Sequence, residues 1–404
     1  DGFATKDNSS FIGGVASTTY TDADAASHAD NHSFAFDPTN PNKVLIASDG
    51  GIGQIKDITT PGVEWSLGSS QYQTLQYYHV GIDPTTGSRN YYGGAQDNST
   101  TFRDKSGILG PAISDSNDHY IVLGGDGCQV GMTKKNTAGN QFLFCAAQSG
   151  QIYRMKLFDF STGLYTLIRP TGSADGEFIT YFHLDPDNTD FLYYVSKNSI
   201  YRTGDAEKVS TSSWTLMDGV NTSVTGSIFA LATTRGPYAA NNHLFIGTSS
   251  GKIYRLKDPQ WGASGNQPFD ITPSGMTSGS VVKDISVNPR NQDTVMAVVS
   301  NYGVNSIFWT GNATAALPTW QVAEGNLTLP SVRACEIIAK TTGIEYYVGT
   351  SIGLYSTTTI NGASTIWAKE NGTAATPAAM MNDAIINSLA HRWTDNTMVV
   401  GTHG

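Results

Sequence analysis

A hairpin recurs along this chain at intervals of roughly 40 to 55 residues, and a repeat of that length constrains the fold more tightly than any single motif. Its fullest copy is His28 to Gly53, H-A-D-N-H-S-F-A-F-D-P-T-N-P-N-K-V-L-I-A-S-D-G-G-I-G. Ser33 to Phe36 alternates polar and apolar residues, Asp37 to Asn42 is dense in turn formers, and Lys43 to Ala47 is a short apolar run that ends at Asp49-Gly50-Gly51. With the turn near residue 40, antiparallel partners sum to about 80 or 81, which sets His32 opposite Asp49 at the open end of the hairpin.

Further copies start at Tyr77, at the G-G-D-G of 124–127, at Phe178, and near Ser227, Val281 and Val332. A last one, I-I-N-S-L-A-H-R-W-T-D-N-T-M-V-V-G-T-H-G, begins at Ile385. Each copy holds an apolar strand, commonly a D-P-x-N type turn, a second strand closing on a small or polar residue and Gly, and often an I-Y-R or L-Y-S strand. Several end on a Trp: Trp65, Trp214, Trp320 and Trp367. About four strands per unit at this period is the pattern of a β-propeller blade, so the expected fold is all-β, a single propeller over residues 1–404. A sandwich has no such repeat, and the rung of a β-helix is much shorter. The count favours eight blades, with strand-like residues 10–20 completing the two-stranded last unit and joining the ends; seven blades is the alternative.

The composition agrees. The chain has 404 residues with 39% hydrophobic and only 14% charged residues, and its 43 Gly call for many turns. Lys plus Arg total 24 against 34 Asp plus Glu, a net charge of -10, and no basic cluster follows a phosphate backbone, which argues against nucleic acid. No apolar run is long enough for a membrane span, and the first residues lack a signal-peptide pattern, as expected of a processed form or a fragment of a larger secreted protein. Cys128 and Cys145 flank a turn near residue 137 and fall nearly opposite each other, which leaves a cross-strand disulfide and two buried thiols as alternatives. Cys335 reads as core.

The blocks S-F-A-F-D-P-T-N-P-N with S-D-G-G-I, Y-Y-H-V-G-I-D-P with G-G-A-Q-D-N-S-T, and G-G-D-G with A-A-Q-S-G-Q-I-Y-R resemble the secreted propellers of the sortilin-like and BNR type. The resemblance is densest from Ser27 to Arg154. It implies a propeller on a secreted or cell-surface protein, in a group whose members serve as hydrolases, adhesins and protein-binding modules. The Asp-box S-x-D-x-G-x-T-W appears nowhere intact, which argues against a sialidase. Xyloglucan-cleaving propeller enzymes carry a D-G-G turn whose Asp can be catalytic, and Asp49 matches it. Those enzymes use two propellers with a cleft between them, whereas this chain accounts for one.

The start of each innermost strand and the end of the next one share a face around the mouth of the central channel. Acidic, amide and His groups concentrate there on three successive units: His28, Asp30, His32 and Asp49; Gln96, Asp97 and Asn98; Asp126 and Gln148. Three chemistries compete for them. Asp and Asn can cap turns. His28, Asp30, His32 and Asp49 offer a metal site, with the carboxylates and amides of the patch suiting Ca²⁺ and the H-x-D-x-H spacing another divalent metal. Asp49 with Asp97 or Asp126 would serve as a carboxylate pair for glycoside hydrolysis. His79 and His183 lie within strand patterns and read as satisfied core residues, and Trp261 is the best exposed aromatic for a sugar. A binding or structural module is favoured over an enzyme, with a polysaccharide or a protein of a surface assembly as partner; a xyloglucanase-like hydrolase is the alternative.

Overall fold

The computed structural model describes residues 31–49, 51–59, 65–67, 75–107, 119–157, 165–260, 265–370 and 383–403. Residues 10–20, expected to complete the last unit, and His28, Asp30 and Trp261 lie outside the described residues. The chain divides into two compact units, residues 1–76 and Tyr77–His403.

The first unit holds one antiparallel four-stranded sheet, Asn31–Asp37, Asn40–Ser48, Gly51–Ile55 and Trp65–Leu67, paired in chain order. Phe34 faces Ile46, Ala35 faces Leu45 and Phe36 faces Val44, the register the turn position predicts. The ladder slips by one residue between Asn31 and Ser33, leaving His32 as an unpaired bulge.

The second unit is almost wholly β. Six four-stranded antiparallel sheets follow one another, each paired in chain order, and a two-stranded seventh closes the series among the described residues. Their first strands are Tyr77–Ile82, Val130–Met132, Phe182–Leu184, Ile228–Thr233, Val282–Val287, Val332–Lys340 and Ile385–Arg392. These strands touch one another in order, and the seventh returns to the first. No strand pairing joins those two; side chains do. Ser388 Oγ accepts from the Val80 N–H at 3.1 Å, and Asn387 Nδ2 donates to the Tyr77 carbonyl at 2.9 Å. This is the expected all-β propeller architecture.

Three repeated devices build it. The first is the turn after the first strand. Asp37, Asp83, Asp185 and Asn288, each followed by Pro, use Oδ1 to accept the N–H two residues on, at 2.8 to 2.9 Å. The second is the glycine late in the second strand. A Cβ on Gly247 would lie 2.5 Å from Val282 Cγ1, and one on Gly349 2.6 Å from Ile386 Cγ2, so glycine lets the next sheet close in. The third is the tryptophan of the outer strand. Trp214, Trp320 and Trp367 donate their indole N–H to the carbonyls of Ile168, Ile271 and Ala323, at 2.7 to 2.8 Å, each just past the outer strand of the preceding sheet.

Trp367 is 2% exposed and its backbone is held on both sides by the Asn326 amide. Trp367→Ala is expected to cost about 3–5 kcal/mol and Trp367→Phe, which keeps most of the volume, about 1–2 kcal/mol, by urea unfolding. Equal losses for the two variants would mean that the hydrogen bond, not the packing, joins the sheets here.

The cysteines depart from one of the two expectations. Cys145 pairs with Val130, two residues from Cys128, in the register that the Thr133–Phe142 closure sets. Cys128 and Cys145 are free thiols, buried in different core clusters, and Cys335 is likewise free and buried. The cores lie between sheets, where apolar side chains of successive blades interdigitate.

Candidate functional site

In the first unit the bulge turns His32 towards the end of the second strand, and its Nε2 meets Asp49 Oδ1. The contact is solvent-accessible, with the His32 side chain 63% exposed. Among the described residues no group of three or more His, Cys, Asp or Glu is placed to hold a metal ion.

In the second unit the remaining expected residues come together on the first two sheets. Gln96, Asp97 and Asn98 form the turn between the second and third strands of the first sheet, with Asp97 in the left-handed region at φ 55°. Asn98 Nδ2 donates to the Gln96 carbonyl at 2.9 Å. Asp126 enters from the link to the second sheet and accepts the Asp97 N–H through Oδ1 at 2.9 Å. Its own N–H donates to Gln148 Oε1 at 3.1 Å. This chain of bonds ties two blades by their turns. Beside it, the Tyr78 phenol is pushed up to about 12 by burial and, less strongly, by the charges of Asp126, Cys128 and Asp97.

The larger feature is one that reasoning from sequence missed. The first strands of the first, fourth, fifth, sixth and seventh sheets each carry a bulge near the start of the ladder, after its first pair in four of them and after its second in the seventh. The residues so released are Tyr78, Phe229, Lys283, Arg333 and Asn387, and all five line a cavity of about 200 Å³ inside the ring of first strands. A second cavity of about 290 Å³ shares His79, Gln129, His183, Arg235 and Leu389 with it and extends towards His391 and Trp393.

Near the start of the first strand in the third, fifth and seventh sheets, a side chain locks the edge of the next sheet. The Tyr181 hydroxyl accepts the Leu231 N–H at 2.9 Å, Asp284 Oδ2 the Cys335 N–H at 2.9 Å, and Ser388 the Val80 N–H. Asp284 Oδ1 takes the Ile285 N–H at 2.9 Å, so each of its oxygens accepts a backbone donor. Burial raises this carboxyl to about 7 against the pull of those two N–H groups and of Lys283. Glu336, deeper in the channel, rises to about 8, again chiefly through burial, with Arg235 opposing and Asp284 adding to the shift. Its Oε1 lies 3.7 Å from His391 Nδ1. Arg235 itself is held by Asp187, Nε to Oδ2 at 2.9 Å.

His79 and His183, expected as satisfied core residues, are half-buried and line both cavities, and His79 Nδ1 has no hydrogen-bond partner among the described residues. His79 Nε2 meets Gln129 Nε2 at 2.9 Å and His183 Nε2 meets Thr233 Oγ1 at 3.1 Å. Burial takes them down to about 3 and about 4, and His391 down to about 4, so all three are neutral at pH 7.

No family model and no curated protein matches the sequence. The fold has many solved counterparts. Raptor from Chaetomium thermophilum aligns with a TM-score of 0.55 at 10% identity over 82% of this chain and 28% of its own. A GH74 enzyme from Niastella koreensis gives 0.52 at 17% identity, covering 93% of this chain and 48% of that one. YCF48 from Cyanidioschyzon merolae gives 0.51 at 8% identity, covering 82% and 95%. This chain thus spans less than half the length of the first two. At these identities the likeness is one of fold alone, and the fold of this chain is that of the β-propeller proteins.

Proposed function

We propose that this chain is a binding and structural propeller module of a secreted or surface-exposed protein, acting through recognition of a glycan or a protein partner and not through catalysis. The observation that carries this reading is the bonding of the acidic patch. Asp126 accepts a backbone N–H from Asp97, and its own N–H is taken by Gln148, so the patch acts as turn chemistry joining two blades. A carboxylate whose oxygen is committed to a backbone N–H within a turn is poorly placed to reach a glycosidic oxygen. Turn chemistry of this kind fixes the backbone and leaves the outer edges of Gln96, Asn98 and Gln148 to a partner.

The test is a polysaccharide and surface-protein screen that scores binding and release of reducing ends on the same samples. Binding without cleavage, weakened by Asn98→Ala and Gln148→Ala, is the expected result. Release of reducing ends that Asp49→Asn or Asp126→Asn abolishes would replace this reading with a glycoside hydrolase.

A further inference from the structure

Lys283 is a charge without an ionic partner among the described residues. It occupies the bulge of the fifth sheet, projects into the 200 Å³ cavity, and has its Nζ 5.5 Å from the centroid of the Phe229 ring. Among the described residues no carboxylate pairs with it and no acceptor hydrogen-bonds it. The neighbouring Asp284 spends its oxygens on the Ile285 and Cys335 N–H groups. The side chain is half-buried, and burial lowers its pKa, with the charge of Asp284 opposing.

The next bulge brings a second cation. Arg333 is aimed by two acceptors, Ser331 Oγ at 3.1 Å from Nε and Asn387 Oδ1 at 2.9 Å from Nη1. Asn387 is fixed in turn through Nδ2 on the Tyr77 carbonyl. Two adjacent sheets therefore present cations to the cavity, while Tyr78, Tyr181 and Phe229 supply aromatic walls on other sheets. At about 30 Å³ per water the space holds roughly seven waters, which is the scale of a single ring.

We propose that this cavity binds a small carboxylate carried on one ring, the carboxylate between Lys283 and Arg333 and the ring against the aromatic walls. A guanidinium edge matches the two oxygens of a carboxylate, an ammonium adds a point charge, and aromatic faces suit the apolar face of a sugar or similar ring. The assignment stands apart from the turn patch and from the partner proposed for it. A free sugar acid and the uronate end of a glycan share this chemistry.

The experiment is calorimetric titration of the whole chain with D-glucuronate, a glucuronate-terminated oligosaccharide, D-glucose and inorganic sulfate, with melting curves alongside. Binding of glucuronate or of the oligosaccharide, with glucose at least tenfold weaker and sulfate weaker still, is expected; which of the two binds tells the free acid from the chain end. Lys283→Met should lose at least tenfold in affinity while melting at the same or a higher temperature, and Lys283→Arg should retain most of the binding. Failure of both uronates to bind overturns the proposal, as does glucose or sulfate binding as well as they do. A Lys283→Met protein that melts below the parent also overturns it, because Lys283 would then be a structural ion.

Discussion

Replacing Glu336 with Gln is expected to stabilise the protein at pH 8 by about 2–4 kcal/mol and at pH 5 by less than about 1 kcal/mol. The carboxyl has a folded-state pKa near 8 against 4.5 in the unfolded chain. Below the lower value both states hold the proton and nothing is lost. Between the two, the unfolded chain ionises while the folded one does not, so stability falls as pH rises, by up to about 1.4 kcal/mol per pH unit. Above the upper value the full penalty is present. The side chain is 18% exposed, and the range given is reduced for the solvent that reaches it.

Asp284 acts in the same direction up to about pH 7, whereas His79, His183 and His391 act oppositely. Their folded pKa values are depressed, so the unfolded chain takes up protons first as pH falls below about 6.5, and stability drops on that side. The two trends place the maximum near pH 6.5. Unfolding midpoints in urea from pH 5 to pH 8.5 test both claims, and a Glu336→Gln gain that does not grow with pH would sink the assignment of a buried, protonated carboxyl.

The second large effect is expected at Arg392. Its guanidinium is 4% exposed and grips Asp395 through Nε and Nη2 at 2.8 to 3.0 Å. It also donates to the carbonyls of Asp83 at 2.7 Å and Ser88 at 3.0 Å. Asp395, held well below the usual carboxylate range chiefly by Arg392, accepts the Gly87 N–H at 2.7 Å. The seventh sheet and the first are thereby clasped at the end opposite the bulges. Arg392→Met should cost about 3 kcal/mol, since it strands a carboxylate and two carbonyls that the guanidinium had satisfied. Arg392→Lys should recover little, because an ammonium cannot serve three acceptors in this planar arrangement. Hydrogen exchange should quicken first in 77–92 and 385–403. Uniform quickening over the whole unit would show that the clasp has no local role.

Much of the architecture was legible because its determinants are local. The D-P turn, the Gly late in the second strand and the Trp of the outer strand recur at the repeat period, and each proved to do one physical job in several sheets. From Ser33 to Phe36 the first hairpin kept the register its turn implied. Cys128 and Cys145 do not face each other because the hairpin's register sets Cys145 opposite Val130, two residues from Cys128. The channel lining was invisible for a different reason. A bulge adds one residue without altering the apolar alternation that follows, so Lys283 and Arg333 look in the sequence like charges at a strand's exposed edge. Asp284 and Glu336 were hidden likewise, since a polar residue on an innermost strand faces the channel and neither solvent nor core.

The bulges have an evolutionary corollary. A side chain at such a position contributes nothing to strand pairing, so its replacement leaves the ladder as it was. Tyr78, Phe229, Lys283, Arg333 and Asn387 already show five chemistries at one equivalent position. Selection for folding and selection for ligand preference therefore read different letters of the same strand, and the lining of this ring can be rewritten one blade at a time without renegotiating how the blades are built.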